Sequence, residues 1–341
     1  MKLIIQIPCY NEAEHLPATL LSIPRQITGV DCIELLIIDD GSHDNTSDIA
    51  LRFGVHHIVK HRTNRGLAAA FQTGLNAALK AGADIIVNTD ADGQYESNDI
   101  AALVEPILKG QADITIGDRG VANNAHFSLV KRHLQKLGSA VVQRLARTHI
   151  PDAVSGFRAL SREAAQRIAI TSEFSYTTDM LIQAGRKRLG IVSVPVQTNR
   201  TLRPSRLFRN IPQFIVSTGT TMVRAYTMYN PLRVFLIAGV ACAVIGALPI
   251  VRFLYFALIG ETAGHIQSLI LGGALLVLGV VAGMLGVLAD LIAGNRKLLE
   301  MTLEHVRRLE HQFGTNSSSA NPSSLQGDEK YTVGWPRKRR L

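Results

Sequence analysis

At 341 residues with 47% hydrophobic side chains, the chain is long enough for one large domain plus an appendage, which excludes a small scaffold held together by covalent staples. Its three cysteines, Cys9, Cys32 and Cys242, are too few and too scattered for a disulfide framework or a metal knuckle, and they point to a reducing compartment. The net charge of +9 is unevenly placed: residues 180–260 hold ten Lys or Arg and no Asp or Glu, a field that suits phosphates, an anionic membrane surface or, by charge alone, nucleic acid.

Met1–Ile7 is an apolar run too short for a signal peptide and is broken by Pro8–Glu12, so it reads as a first strand. Apolar strands at Leu3–Ile7, Ile33–Ile38, His57–Val59, Asp84–Asn88 and Asp113–Ile116 then alternate with helix-like runs. This pattern predicts an α/β domain with a doubly wound, mostly parallel sheet. The first four strands end in Pro8-Cys9-Tyr10-Asn11-Glu12, Asp39-Asp40-Gly41-Ser42-His43-Asp44, Asn64-Arg65-Gly66-Leu67 and Asp90-Ala91-Asp92-Gly93-Gln94-Tyr95. A helix is expected at Lys131–Ala146, and Ser155-Gly156-Phe157-Arg158 reads as a turn into a helix at Arg162–Ile168. A further helix at Thr177–Leu189 carries Asp179 in its first turn, where a carboxylate suits the positive end of the helix dipole. Ile191–Val196 reads as a last strand, and Pro195 within it indicates an edge position.

From Pro204 to Asn230, Arg206, Arg209 and Arg224 stand among Leu207, Phe208, Phe214 and Tyr226, a composition that suits a headgroup layer, and an interfacial amphipathic segment is expected at 211–232. Val234–Val251 and Ile266–Ala289 carry no charge and pass the length test for membrane spans, expected at about 233–258 and 266–290. The linking residues Gly260–His265 lack Lys and Arg, whereas arginines precede the first span and Arg296 and Lys297 follow the second. The positive-inside rule puts both flanks, and with them the α/β domain, on the cytoplasmic side of the cell membrane. Arg252 is expected to snorkel to the far interface beside Phe253, Tyr255 and Phe256. Residues 295–313 read as a cytoplasmic amphipathic helix that packs on lipid or its own domain or pairs copies into a homo-oligomer, and 314–341 as a disordered basic tail. These segments shift the expected partner from nucleic acid to the lipid bilayer.

Ligands of open α/β sheets bind outside the carboxyl ends of the strands. Asp90 and Asp92 there would hold Mg²⁺ or Mn²⁺ and the phosphates it carries; the alternative is a polar turn capping the next helix. Asp39 and Asp40 would accept hydrogen bonds from a base or ribose, or merely open an Asx turn. Gly66 opens a helix whose backbone N–H groups would face a diphosphate, unless it is an ordinary helix start. Neither GxGxxG nor GxxxxGK[ST] occurs, which disfavours a dinucleotide oxidoreductase and a P-loop NTPase. His56, His57 and His61 cluster, but strand neighbours point to opposite faces and share no metal, and Cys9 reads as core filler.

The four strand-end motifs, in this order, together resemble the family-2 glycosyltransferases of the GT-A fold, and within them the polyprenyl-phosphate glycosyltransferases related to dolichyl-phosphate mannose synthase. The resemblance spans about residues 3–210. It implies that Pro8, Tyr10, Asn11 and Glu12 line the nucleotide pocket with Asp39, Asp40 and Gly66, and that Asp90, Asp92 and Gln94 hold the metal and the donor diphosphate. It further implies that Arg119 lies near the transferred sugar, and that Lys131 or Arg132 meets the acceptor phosphate. Arg200 matches the first residue of the family stretch R-x-x-G-x-S-K, which reads Arg200-Thr201-Leu202-Arg203-Pro204-Ser205-Arg206 here. Arg203 replaces its glycine and Arg206 its lysine, so the loop shape departs from the family while the charge is kept. Asp92, Arg119, Asp179 and Arg200 are the catalytic candidates, with Asp179 orienting the acceptor or an arginine or serving only as a helix-start carboxylate. Ser155-Gly156-Phe157-Arg158 resembles the family as well, yet Ser155 and Phe157 read as part of a plain turn into the following helix.

The implied activity is transfer of one sugar, with inversion, from a UDP- or GDP-linked donor to a polyprenyl phosphate. A processive polysaccharide synthase is the alternative enzyme, against which stand the absence of Q-x-x-R-W and the presence of only two expected spans. A non-catalytic protein binding nucleotide-sugar or lipid phosphate is the third reading.

Overall fold

Lys2–Cys9 carries apolar residues on both faces, as a strand covered on two sides must, and forms the interior strand β1 of a seven-stranded sheet. The protein is described here from a computed structural model covering residues 1–120, 143, 150–170, 176–199, 226–228, 230–260 and 265–317. The other strands are β2 (Cys32–Asp39), β3 (His57–Lys60), β4 (Ile85–Asn88), β5 (Ile114–Asp118), β6 (Arg158–Ser161) and β7 (Ile191–Pro195), in the order β3-β2-β1-β4-β6-β5-β7. The helices of this unit are α1 (Leu16–Ser22), α2 (Thr46–Arg52), α3 (Leu67–Lys80), α4 (Asp99–Leu108), α5 (Arg162–Arg167) and α6 (Tyr176–Arg186).

Alternation along the strands divides the apolar residues between two cores. Ile4, Ile38, Ile86 and Leu160 meet Phe71 and Leu75 of α3 and Met180 and Leu181 of α6 on one face. Leu3, Ile5, Ile37 and Val87 meet Leu16 of α1 and Leu103 and Val104 of α4 on the other. Helices on both faces of a mostly parallel sheet are the expected doubly wound α/β fold, and β7 with Pro195 closes one edge as its proline required.

One strand departs from the sequence reading. Arg158, the last residue of the stretch taken as a turn, and the three residues after it form β6, antiparallel to both β4 and β5, with Asn88 opposite Arg158 and Ile116 opposite the same residue. Phe157 and Ala159 enter one core and Leu160 the other, the period-2 signature of a strand. With only four residues and an arginine at its start, β6 offered too short a pattern to read.

The two apolar runs form a separate unit within residues 219–303. They are α7 (Pro231–Ile259) and the first part of α8 (Ile266–Ser317), each long and apolar enough to cross a membrane. Glycines let them approach closely: a Cβ on Gly239 would lie 2.7 Å from the Gly279 carbonyl oxygen, and one on Gly246 would lie 2.9 Å from that of Gly272. No helix break marks the passage, near residue 295, from the expected span to the expected amphipathic helix. Asn295–Phe313 contains no proline and no cap-forming break, so α8 runs on as one helix of 52 residues, about 78 Å at the α-helical rise. The expected helix at 131–146, most of the interfacial segment and the tail from 318 onward lie outside the described residues.

Candidate active site

Strand direction assembles the site. β1, β2 and β4 are parallel, so Cys9, Asp39 and Asn88 end at one edge, and β5 and β7 end there too. Because β6 runs the opposite way, it begins at that edge, bringing residues 152–157 beside the strand ends that carry Asp90 and Arg119.

The loops after β1 and β2 are stitched together. Asn11, at φ 53°, donates its N–H to Ser42 Oγ at 2.9 Å and accepts the His43 N–H at 2.9 Å through Oδ1. Glu12 N–H reaches Thr46 Oγ1 at 3.0 Å and Ala13 N–H reaches Asp44 Oδ2 at 3.1 Å. Tyr10 is exposed, Pro8 half-buried and Glu12 buried. Asp39 is fully buried; it accepts the Ser42 N–H at 2.8 Å and the Ser47 hydroxyl, with Lys60 Nζ 3.3 Å away. Burial pushes its carboxyl upward, but the hydrogen bonds from Ser42 and Ser47 and the nearby lysine outweigh it and hold the group below the usual range. Asp40 accepts the Arg65 N–H at 2.9 Å and the Gly66 N–H at 2.8 Å, and meets His61 Nδ1 at 2.6 Å, whose Nε2 lies 3.0 Å from Thr73 Oγ1. Both carboxylates thus hold loops in shape, and the Gly66 N–H points at Asp40. His57 is engaged elsewhere with Glu34, and His56 Nδ1 with the Leu35 N–H.

After β4 the chain turns at Asp90–Gln94, with Gly93 at φ 67°. Asp92 Oδ1 caps the Gln94 N–H at 3.1 Å, and Thr19 Oγ1 holds the Ala91 carbonyl at 2.9 Å. Asn199, following β7, donates its N–H to the Gln94 carbonyl at 2.8 Å and its side-chain amide to the Gly93 carbonyl at 3.2 Å. Asp90, Asp92 and Gln94 remain half-buried.

Beneath this turn lies a polar floor that sequence reasoning found only in part, through Arg119. Arg119 forms a two-point pair with Asp152, Nε to Oδ2 at 2.6 Å and Nη2 to Oδ1 at 3.0 Å. Burial works against its charge, but the Asp152 pair holds its pKa above the usual value. Gln6 Nε2 donates to Asn88 Oδ1 at 2.9 Å, and Asn88 Nδ2 donates to the Gly156 carbonyl at 2.9 Å and to Tyr176 Oη at 3.3 Å. The Gly156 N–H donates to Tyr95 Oη at 3.1 Å, and Phe157 stacks on Tyr95 with centroids 4.9 Å apart. A Cβ on Gly156 would come within 3.0 Å of Tyr176 Oη and 3.3 Å of both Asp90 carboxylate oxygens, so only glycine lets these groups converge. Burial, followed by the Asp90 charge, pushes Tyr95 up to about 12 and raises Tyr176 further. Both phenols keep their protons at neutral pH.

Arg158 underpins the floor. It is fully buried and donates to the carbonyls of Ser155 at 2.7 Å, Thr177 at 2.8 Å and Ala153 at 2.8 Å. Burial lowers its pKa to about 10, so it stays charged at neutral pH. Asp179 is buried in the first turn of α6. Lys131, Arg132, Arg200, Ser205 and Arg206 lie outside the described residues. Of the floor residues the sequence singled out Arg119, while Gln6, Asp152 and Tyr176 did not stand out, since they sit in no repeat or spacing.

Among the described residues no three His, Cys, Asp or Glu side chains converge as a metal cage. Two carboxylates and an amide on one turn are hard oxygen donors, and such a set fits a divalent cation that takes its remaining ligands from phosphate oxygens and water.

Comparison with known proteins places these features. The model of a family described as glycosyl transferase family 2 matches residues 4–169. A polyprenol monophosphomannose synthase of Mycolicibacterium smegmatis is 31% identical over 218 residues, covering 60% of this chain and 80% of that protein. A UDP-N-acetylglucosamine–dolichyl-phosphate N-acetylglucosaminyltransferase of Methanococcus voltae is 29% identical over 215 residues, 56% of this chain and 83% of its own. Among solved structures, a glucosyl-3-phosphoglycerate synthase of Mycobacterium tuberculosis, in complex with Mn²⁺, UDP and glucosyl-3-phosphoglycerate, superposes with a TM-score of 0.50 at 20% identity, over 65% of this chain and 79% of that one. It confirms the GT-A fold.

Proposed function

Because this chain belongs to glycosyl transferase family 2, we propose that it is a membrane-anchored, inverting enzyme that moves one sugar from a nucleoside diphosphate to a polyprenyl phosphate at the cytoplasmic face. The observation that carries this reading is the meeting, at one sheet edge, of the Asp90–Gln94 turn with a half-buried guanidinium aligned by Asp152.

The anomeric C–O bond to the diphosphate breaks as a bond forms to an oxygen of the acceptor phosphate on the opposite side, and the diphosphate leaves with the electron pair. An acceptor phosphate is already an oxyanion near neutral pH and needs no strong general base. What the site must supply is stabilisation of the departing charge. Asp90, Asp92 and Gln94 would hold Mg²⁺ or Mn²⁺, which supplies charge neutralisation on the diphosphate. Arg119 keeps its charge through Asp152, and that pair leaves Nη1 without a hydrogen bond among the described residues. Asp39 and Asp40 shape the nucleotide pocket by fixing the loops after β2 and β3.

The relatives named above differ in their sugar yet share a lipid phosphate acceptor in their names, which supports the acceptor class and leaves the donor open between UDP- and GDP-linked sugars. The two apolar helices and the basic flanks support membrane attachment with the sheet-bearing unit cytoplasmic.

The test is transfer of labelled sugar from a panel of UDP- and GDP-sugars to a polyprenyl monophosphate, with Mg²⁺ or Mn²⁺ and with chelator. A lipid-soluble product that disappears with chelator is expected; label found only in soluble saccharide would sink the reading. Asp152→Asn presents an amide N–H₂ to the arginine in place of one acceptor. It should lower kcat by about 10- to 100-fold while the donor KM stays within about threefold, because it misaligns a group that acts in the transition state. Equal losses in binding and turnover would refute this role.

A further inference from the structure

His61 follows β3 directly, and its N–H continues the ladder to the Asp39 carbonyl at 2.8 Å. The ring is 6% exposed, and the chemistry proposed above gives it no task. Its Nδ1 meets Asp40 Oδ1 at 2.6 Å, and Asp40 already accepts backbone N–H groups on both oxygens, from Arg65 at 2.9 Å and from Gly66 at 2.8 Å. A carboxylate only accepts, so Nδ1 carries a proton and donates it. On the far side of the ring, Nε2 faces Thr73 Oγ1 of α3 at 3.0 Å; in the neutral ring it accepts the hydroxyl proton. Thr73, His61 and Asp40 thus tie the body of α3 to the end of β2.

What this relay holds is the loop 62–66. Arg62, Thr63, Asn64 and Arg65 are exposed, and among the described residues both hydrogen bonds that tie the loop to the sheet end on Asp40. The loop also presses on the turn after β2. Gly41 sits there at φ 76°, and a Cβ on it would lie 2.6 Å from the Thr63 carbonyl carbon and 2.7 Å from the Asn64 nitrogen. Asp40 is itself only 4% exposed, so losing its one side-chain donor leaves a buried carboxylate short of hydrogen bonds and sets it, with the loop it holds, free to move.

We propose that His61 is a positioning residue of the donor site: by orienting Asp40 it sets the loop 62–66 against the nucleotide, and so governs donor affinity rather than the transfer step. This rests on the reading above that the loops after β2 and β3 shape the nucleotide pocket. Sheet order separates the two tasks. β3 lies three strands from β4, about 14 Å at the usual strand spacing, and the groups assigned to the departing charge, Asp90, Asp92 and Arg119, follow β4 and β5. Loosening the first side of the site leaves the second in place.

The experiment measures binding of UDP and of GDP to the full chain in detergent with Mg²⁺, by titration calorimetry, beside the thermal midpoint of each preparation. His61→Phe keeps a ring and removes both of its hydrogen bonds; for the nucleotide that the parent binds, it should weaken affinity by about 20-fold or more. His61→Asn returns an N–H donor to the place of Nδ1 and should recover all but about threefold. Thr73→Val removes the far hydrogen bond alone and should also cost about threefold. His57→Phe is the control: at the other end of β3 its ring meets Glu34 Oε2 at 2.7 Å, and its loss should leave affinity unchanged. In transfer assays, kcat at saturating donor should stay within about threefold of the parent for all four variants. Parent affinity in a folded His61→Phe, or in Thr73→Val should the first variant not fold, overturns the role of His61 alone. So does His61→Asn binding as weakly as His61→Phe, or a fall in kcat as large as the fall in affinity. A parent chain that binds neither nucleotide overturns the functional reading and this proposal with it.

Discussion

An Asp92→Ala variant should lose sugar transfer by roughly a thousandfold or more while its fold survives. Asp92 is half-buried and its one described structural task is to accept the Gln94 N–H, a bond whose loss costs about 1 kcal/mol. Its chemical task is larger. Asp90 and Gln94 are the other candidate oxygen donors on this turn, so removing one carboxylate takes away much of the negative charge that would hold a divalent cation against the diphosphate. The measurement is the initial rate at saturating Mg²⁺ or Mn²⁺, with the thermal midpoint of the same preparation. A variant within tenfold of the parent, at unchanged midpoint, would return Asp92 to the role of a turn cap.

The contrast between Asp92 and the floor beneath it marks how far the sequence could be read. Parallel strands announce themselves, because runs such as Leu3–Ile7 and Ile85–Val87 are apolar at nearly every position and stop at polar residues. Once the strands are parallel, their carboxyl ends must share an edge, so strand pattern alone gathers Asn11, Asp39, Asp40, Gly66, Asp90 and Asp92. Local patterning cannot reveal a strand's direction or a partner far away in the chain. Asp152 matters because Arg119, 33 residues earlier, reaches it. Tyr176 matters because Asn88 reaches it across 88 residues. Both contacts depend on β6 running antiparallel, and that strand is four residues long with a buried arginine where an apolar residue would be expected.

Asp39 and Asp40 show the same limit. In sequence they are two carboxylates at a strand end that either face a base or ribose or open an Asx turn. In the fold, Ser42 and Ser47 meet Asp39, and Arg65, Gly66 and His61 meet Asp40, so both hold loops in shape. The continuity of α8 rests on a different principle. A change from uniformly apolar to amphipathic composition signals a change of solvent, not of backbone, and nothing between Asn295 and Phe313 stops a helix.

Arg158→Met should destabilise the sheet-bearing unit by about 3–5 kcal/mol, the largest effect expected of any single change in its core. Two terms oppose each other. Removing the guanidinium relieves the cost of burying a charge that has no carboxylate within ion-pair distance among the described residues, a cost visible in its lowered pKa of about 10. Against that, the carbonyls of Ala153, Ser155 and Thr177 all lose their donor, at roughly 1–3 kcal/mol for each buried acceptor left unpaired. The second term wins because a thioether of similar volume donates nothing. Arg158→Lys should fall between, since one ammonium cannot span three carbonyls that a planar fork reaches at once. In a unit whose whole stability is on the order of 5–15 kcal/mol, the methionine variant should melt about 10 °C lower or more. A midpoint within about 2 °C of the parent would show that the three carbonyls find other partners. Activity separates this residue from Asp92: transfer by Arg158→Met should decline in step with the unfolded fraction as temperature rises, whereas Asp92→Ala should be inactive at temperatures where it is fully folded.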